Sequence, residues 1–128
     1  MTHKLIIPGR LPGLNEYVDD ARSNRYQSAR AKHKAQVDIG RAILSQLGAV
    51  RLTEPVRIYF LWVEENKKRD KDNVAFAKKF ILDALVKAGV LRNDGWKHVD
   101  SFADSFAIDK KNPRVEVTIE TIENRQEE

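Results

Sequence analysis

The sequence predicts an α+β fold: one small domain in the order β-α-β-α-β-β, with a mixed sheet packed by two helices. Three observations carry this. Short runs rich in Val, Ile, Phe, Tyr and Trp recur at both ends and in the middle of the chain. Two longer stretches between them have apolar residues at helical spacing and stop at glycines. No Pro/Gly/Ser-rich linker, repeat or low-complexity segment divides the 128 residues, so 1–128 reads as a single domain.

Taken in order, residues 4–8 read as a first strand ended by Pro8, which lacks a backbone donor. Residues 9–24 contain Gly9, Pro12, Gly13, Asn15 and Asn24 and read as a long loop. Residues 28–47 predict a helix stopped by Gly48, with Val37, Ile43, Leu44 and Leu47 as its apolar positions and a basic, exposed first half. Residues 55–64 are apolar on both alternations. Val56, Ile58, Phe60 and Trp62 lie on one side and Tyr59, Leu61 and Val63 on the other, the pattern of a central strand covered on both faces. Residues 65–71 form a charged connection. A helix follows over 72–88, with Val74, Ala77, Ile81, Ala84, Leu85 and Ala88 as one stripe and Gly89 as its stop. Residues 91–95 form a turn, and 98–108 and 114–122 read as two strands joined by a hairpin loop at 109–113. Residues 123–128 read as a polar tail.

Composition narrows the function. Apolar residues make up 41% of the chain, enough for a core without disulfides, and there is no cysteine, which fits a reducing cytoplasm. The apolar run before Pro8 is too short for a signal-peptide core or a membrane span, so a soluble cytoplasmic protein is expected. Cysteine nucleophiles and cysteine zinc sites are excluded, and His3, His33 and His98 lack metal-ligand spacing. No Gly-rich phosphate loop follows a strand, which argues against a nucleotide cofactor. The net charge is +4 and the pI about 9.4. Arg22, Arg25, Arg30, Lys32, Lys34, Arg41 and Arg51 face a single acid, Asp38, across that stretch. A second cluster, Lys67, Lys68, Arg69 and Lys71, runs into paired carboxylates. One such run is usually a solvated face; two, one of them abutting carboxylates, point to nucleic acid.

The paired carboxylates are Asp70 and Asp72, at the entry to the second helix. In extended backbone, residues two apart point to one side. Two adjacent carboxylates repel unless a cation lies between them, and a hard cation such as Mg²⁺ takes oxygen ligands of this kind. The same tetrapeptide also suits a helix cap, with Asp72 or Asn73 as the capping residue. On an unbroken helix, Lys79 falls about 20° around the axis from Asp72 and ~10.5 Å along it, on the same face. It fits equally a polar surface shared with Asp83 and Lys87. Asp94 lies in the turn after a helix roughly 25 Å long, and spacing alone gives it no path back to Asp70. Trp96, Phe102 and Phe106 can stack on bases, but phenylalanines at strand spacing fit the core better.

The run Arg69-Asp70-Lys71-Asp72-Asn73, then Asp83-Ala84-Leu85-Val86-Lys87-Ala88-Gly89, then Asn93-Asp94, resembles the RusA family of Holliday-junction resolvases. Arg114 to Ile119 is similar to that family's last strand, and Pro12, Asn15 and Tyr17 to its early P-x-x-N and tyrosine. The resemblance implies a homodimeric, Mg²⁺-dependent endonuclease, with Mn²⁺ able to substitute. Such enzymes serve DNA recombination and repair, are often encoded by phages, and nick two strands of a four-way junction symmetrically. It implies a metal site of three aspartates, Asp70, Asp72 and Asp94, with Asp94 completing the site across a subunit interface if one chain cannot bring it home. It also implies a catalytic lysine four residues after the second aspartate. Phe76 holds that position here; counted back from Asp83 the lysine is Lys79, with Lys78 beside it. DNA contacts are then expected from Arg69, Lys67, Lys68 and Lys71 near the cut, from Arg22, Arg25, Arg30, Lys32 and Lys34 on the arms, and from Asn15 and Tyr17. A DNA-binding protein of the same fold without cleavage, or a nuclease for other branched DNA, are the alternatives.

Overall fold

Eight elements follow one another along the chain: β1 (Thr2–Pro8), α1 (Leu14–Ser23), α2 (Arg25–Gln46), β2 (Val56–Glu64), α3 (Lys71–Ala75), α4 (Lys78–Lys87), β3 (Val99–Ile108) and β4 (Arg114–Thr121). The computed structural model describes residues 1–23 and 25–122. The expected tail at 123–128, and Asn24 at the end of the expected loop, lie outside the described residues.

The strands form one mixed sheet in the order β1-β4-β2-β3. β2 pairs in parallel with β3 and antiparallel with β4, which also pairs antiparallel with β1. Parallel neighbours need a long crossover, and α3 and α4 supply it between β2 and β3. Because β4 lies on the far side of β2 from β3, residues 109–113 are not the hairpin loop expected. They cross the end of β2, where the Asp109 N–H donates to the Glu64 carbonyl at 2.8 Å. Five residues easily span two strand spacings of about 4.8 Å each, so a turn signal alone does not fix which strands pair.

One face of the sheet forms the core. Leu5, Ile7, Val56, Ile58, Phe60, Trp62, Val115, Val117 and Ile119 are buried there against Ile39, Ile43, Val74, Ile81 and Leu85 of the helices. Each such large side chain contributes about 1.5–3 kcal/mol of burial. The opposite face is not covered as expected: Ile6 and Tyr59 remain 40% and 41% exposed. Only Leu61 and Val63 of β2 are shielded on that side. β3 is an edge strand, and Phe102, expected in the core, is 45% exposed, while Phe106 is half-buried.

The expected loop 9–24 contains α1. Leu14, Tyr17 and Val18 stand at helical spacing, and the Tyr17 ring packs on Phe76 and Phe80 at 5.5 and 5.9 Å between centroids. Helical phase also corrects α2: Ala35, Ile39, Ala42 and Ile43 are its buried positions, whereas Leu44, one step around the axis from Ile43, is 75% exposed. The single helix expected over 72–88 is broken at Phe76 and Ala77. Here the Ala77 and Lys79 N–H groups donate to carbonyls three residues back, a local tightening of the helix. A uniform 100° per residue therefore does not hold between Asp72 and Lys79. Gly89, at φ +83°, ends α4 in the left-handed conformation that a C-terminal stop requires.

Candidate active site

Between β2 and the first turn of α3, Arg69 and Asn73 turn inward, while Lys67, Lys68, Asp70, Lys71 and Asp72 stay exposed. Asp70 stands at the N-cap of α3, extended at φ −65° and ψ 155°, and caps with its backbone carbonyl, not its carboxylate. The Asp72 carboxylate accepts the adjacent Asn73 N–H at 2.9 Å. Both aspartates are exposed, and neither pairs with a cation among the described residues. They open onto a cleft shared with Glu64, Lys67, Lys71 and Phe106, where the Lys71 ammonium sits 5.5 Å from the Phe106 ring centre.

Arg69 and Asn73 face the other way. The Arg69 Nε and Nη2 donate to the two carboxylate oxygens of Glu64 at 2.9 and 2.8 Å. Its Nη1 donates to Glu16 at 2.8 Å and to the Leu11 carbonyl at 3.0 Å. The side chain is only 10% exposed, and although burial opposes its charge, Glu64 and then Glu16 raise its pKa. With its fork so occupied, Arg69 ties the carboxylate loop to Leu11 ahead of α1 and to Glu16 within it. Buried Asn73 accepts the Asn15 N–H at 2.8 Å. Gly13 fits between these groups: a Cβ there would stand 2.7 Å from Asn73 Oδ1 and 2.9 Å from Arg69 Nη1. The sequence placed Arg69, Asn15 and Tyr17 on the DNA; the structure puts Arg69, the Asn15 N–H and the Tyr17 ring in the scaffold beneath the aspartates.

This clamp has an acid-sensitive member. Burial opposes ionisation of Glu16, but the Gly13 N–H and the Arg69 guanidinium outweigh it and hold the carboxyl below its ordinary 4.5. A depressed carboxylate stabilises the fold above the unfolded-state pKa and loses that contribution as pH falls through the folded one. Glu116 is lowered likewise, first by Lys4 and then by Arg114. Stability should therefore be level from pH 7 to about 5 and fall below about 4.5. Glu16→Gln should flatten part of that acid limb, as urea midpoints against pH will show.

Asp94 is not gathered with Asp70 and Asp72. No three or more His, Asp or Glu side chains among the described residues come close enough to hold a metal ion together. The segment after α4 folds back along that helix, so Asp94 reaches its first turn, where Lys79 bonds Asp94 at 3.2 Å and Asp83 at 3.1 Å. Asp83 and then Asp94 raise the Lys79 pKa. Lys79 and Asp72 stand on different helices, α4 and α3, with the break at Phe76 and Ala77 between them. Lys78 instead bonds Asp104 at 2.7 Å and lies 4.8 and 5.3 Å from the Phe102 and Phe60 rings. Asp104 also accepts the Trp62 indole N–H at 2.9 Å. Sequence reasoning missed Asp104; its signal was an acid alternating with Phe102 and Phe106 on one strand face.

Asp70 and Asp72 alone offer two free carboxylates on one loop. That donor set suits Mg²⁺, which takes one or two carboxylates and completes its shell with water and phosphate oxygens. Around them, Lys67 and Lys68 are exposed. Farther off, Arg22, Arg25, Arg30, Lys32 and Lys34 are exposed along α1 and α2, with Lys34 paired to Asp38 at 2.9 Å and Arg30 5.8 Å from the Tyr26 ring centre. No helix among the described residues is long and apolar enough to cross a membrane.

No curated protein matches the chain at the level required for a relative. A family model does: the one described as Endodeoxyribonuclease RusA matches residues 13–120. That span takes in the Gly13 contact, the Arg69–Asn73 loop, both crossover helices, Asp94 and nearly all of β4. The chain belongs to the RusA endodeoxyribonuclease family.

Proposed function

We propose that this protein is a Mg²⁺-dependent, structure-selective endonuclease that resolves four-way DNA junctions by paired symmetric nicks. It acts as a homodimer in the cytoplasm, in recombination and repair, in a phage or prophage setting. The observation that carries the reading is the pair of exposed carboxylates, Asp70 and Asp72, which have no ion-pair partner among the described residues and stand above the Arg69 and Asn73 clamp, in a family of endodeoxyribonucleases. Asp70 and Asp72 would hold Mg²⁺, which when bound would polarise the phosphodiester and acidify a water. Lys67, Lys68 and Lys71 neutralise phosphates at the cleft, and Arg22, Arg25, Arg30 and Lys32 hold the arms. Lys79, held by Asp83 and Asp94 in the first turn of α4, supplies an ammonium to stabilise charge developing on phosphate oxygens. Asp94, the third aspartate of the family pattern, supports this reading through its 3.2 Å contact with Lys79, by which it fixes that lysine. A C₂ dimer presents two such sites to symmetrically disposed strands.

A labelled four-way junction and a linear duplex of matching sequence test this with Mg²⁺ or EDTA. The expected result is paired nicks in the junction with Mg²⁺, binding without cutting in EDTA, and little cutting of the duplex. Binding with no Mg²⁺-dependent nicking would leave a non-catalytic DNA-binding protein. Equal cutting of both DNAs would leave a nuclease without junction selectivity.

A further inference from the structure

The turn between α4 and β3 displays Trp96 wholly to solvent, at 101% relative exposure. Covering an indole removes about 150–250 Å² from water, so a ring left this bare has much to gain from a stacking partner. The turn beneath it is built, not loose. Asn93 Oδ1 accepts the Gly95 N–H at 2.9 Å, and the Gly95 carbonyl accepts the His98 and Val99 N–H groups at 3.1 and 2.9 Å.

A second observation lies beside it. Thr53, Pro55, Arg92, Asn93, Lys97 and His98 line a hollow that contains no carboxylate. Arg92 and Lys97 have no ion-pair partner among the described residues, whereas Lys78, Lys79 and Arg57 are all paired to aspartates. His98 Nδ1 and Asn93 Oδ1 bond each other at 2.9 Å, which leaves the Arg92 and Lys97 cations, the Asn93 amide NH₂ and the Thr53 hydroxyl around the hollow as donors that can receive a phosphate.

We propose that this turn is a second nucleic-acid subsite, which takes a backbone phosphate in the hollow and stacks an unpaired base on Trp96. The inference rests on the DNA reading given above and adds where the DNA goes. Indole stacking is indifferent to base identity but needs a base out of its own stack, as at a branch point or in a single strand. The hollow lies at the start of β2 and β3, beside Pro55 and His98, while the Asp70 and Asp72 cleft lies at their ends, beside Glu64 and Ile108. A nine-residue strand separates them by roughly 30 Å, close to one turn of duplex. The subsite therefore reads branched structure at a distance from the cut. A second copy of the chain is the poorer occupant. Anchors of protein interfaces lie in patches depleted of charge, and Trp96 is flanked by Asp94 and Lys97.

The test measures binding of the full chain in EDTA, so cleavage plays no part. Its probes are a four-way junction, a duplex with a single-stranded gap and a blunt duplex. Trp96→Ala should weaken junction and gapped-DNA binding about tenfold and blunt-duplex binding far less. Trp96→Phe, which keeps a π face, should recover most of the loss. Arg92→Ala with Lys97→Ala should weaken binding to all three DNAs and lower the log–log salt slope by about two, which the tryptophan variants should not. Emission from buried Trp62 reports that each variant is folded. Junction binding by Trp96→Ala equal to wild type overturns the subsite. So does a Trp96→Ala chain that sediments as a monomer where wild type is a dimer, which would place the indole between copies. A wild-type chain that binds none of the three DNAs overturns the function proposed above, and this subsite with it.

Discussion

Asp72→Asn should lower Mg²⁺-dependent cleavage on the order of 10³-fold, with binding in EDTA unchanged or tighter. The amide keeps the shape and can still accept the Asn73 N–H that Asp72 receives at 2.9 Å. What it loses is the negative charge that a hard cation needs. Stability should move little, because the side chain is exposed and has no ion-pair partner among the described residues. Binding should not fall, since removal of a carboxylate beside Lys67 and Lys71 makes the cleft more positive toward phosphate. Single-turnover nicking of a junction, a gel shift in EDTA and a thermal melt separate these terms. Full cleavage by the variant would remove Asp72 from the chemistry.

Arg69→Ala should destabilise the fold by about 3 kcal/mol. Arg69 is 10% exposed and Glu64 13%, so the substitution leaves a poorly hydrated carboxylate without its bidentate partner. It also strips Glu16 and the Leu11 carbonyl of a donor. Arg69→Lys should recover only part of the loss, because one ammonium cannot reproduce a planar fork that reaches three separate groups. Urea unfolding gives the magnitude. An Arg69→Ala protein as stable as wild type but weaker on DNA would return the guanidinium to the phosphate contacts the sequence suggested.

The strands were legible because alternation reports directly which residues are inside. Leu5 and Ile7, and the Val56, Ile58, Phe60 and Trp62 series, are all buried. Pairing was not legible. Residues 109–113 carry the same turn chemistry whether they join neighbours or pass over a strand, and only the assembled sheet puts β4 beyond β2. Helix α1 was hidden because Pro12, Gly13 and Asn15 outweighed the spacing of Leu14, Tyr17 and Val18. In the site, Asp70 and Asp72 could be read as a pair because two residues of backbone fix their separation. The clamp could not, because Leu11, Gly13, Asn15 and Glu16 reach Arg69 and Asn73 only in three dimensions. Lys79 was read on an unbroken helix, and the break at Phe76 and Ala77 removes that premise.

The clamp also sets where the aspartates are vulnerable. The contacts from Asn73 to Asn15 and from Arg69 to Leu11 each close a separation of 58 residues. The position of the carboxylate loop is therefore written as much in residues 11–16 as in the loop itself. A change that loosens that distant stretch, such as a side chain at Gly13, presses on Asn73 and Arg69 and reaches Asp70 and Asp72 without altering either of them.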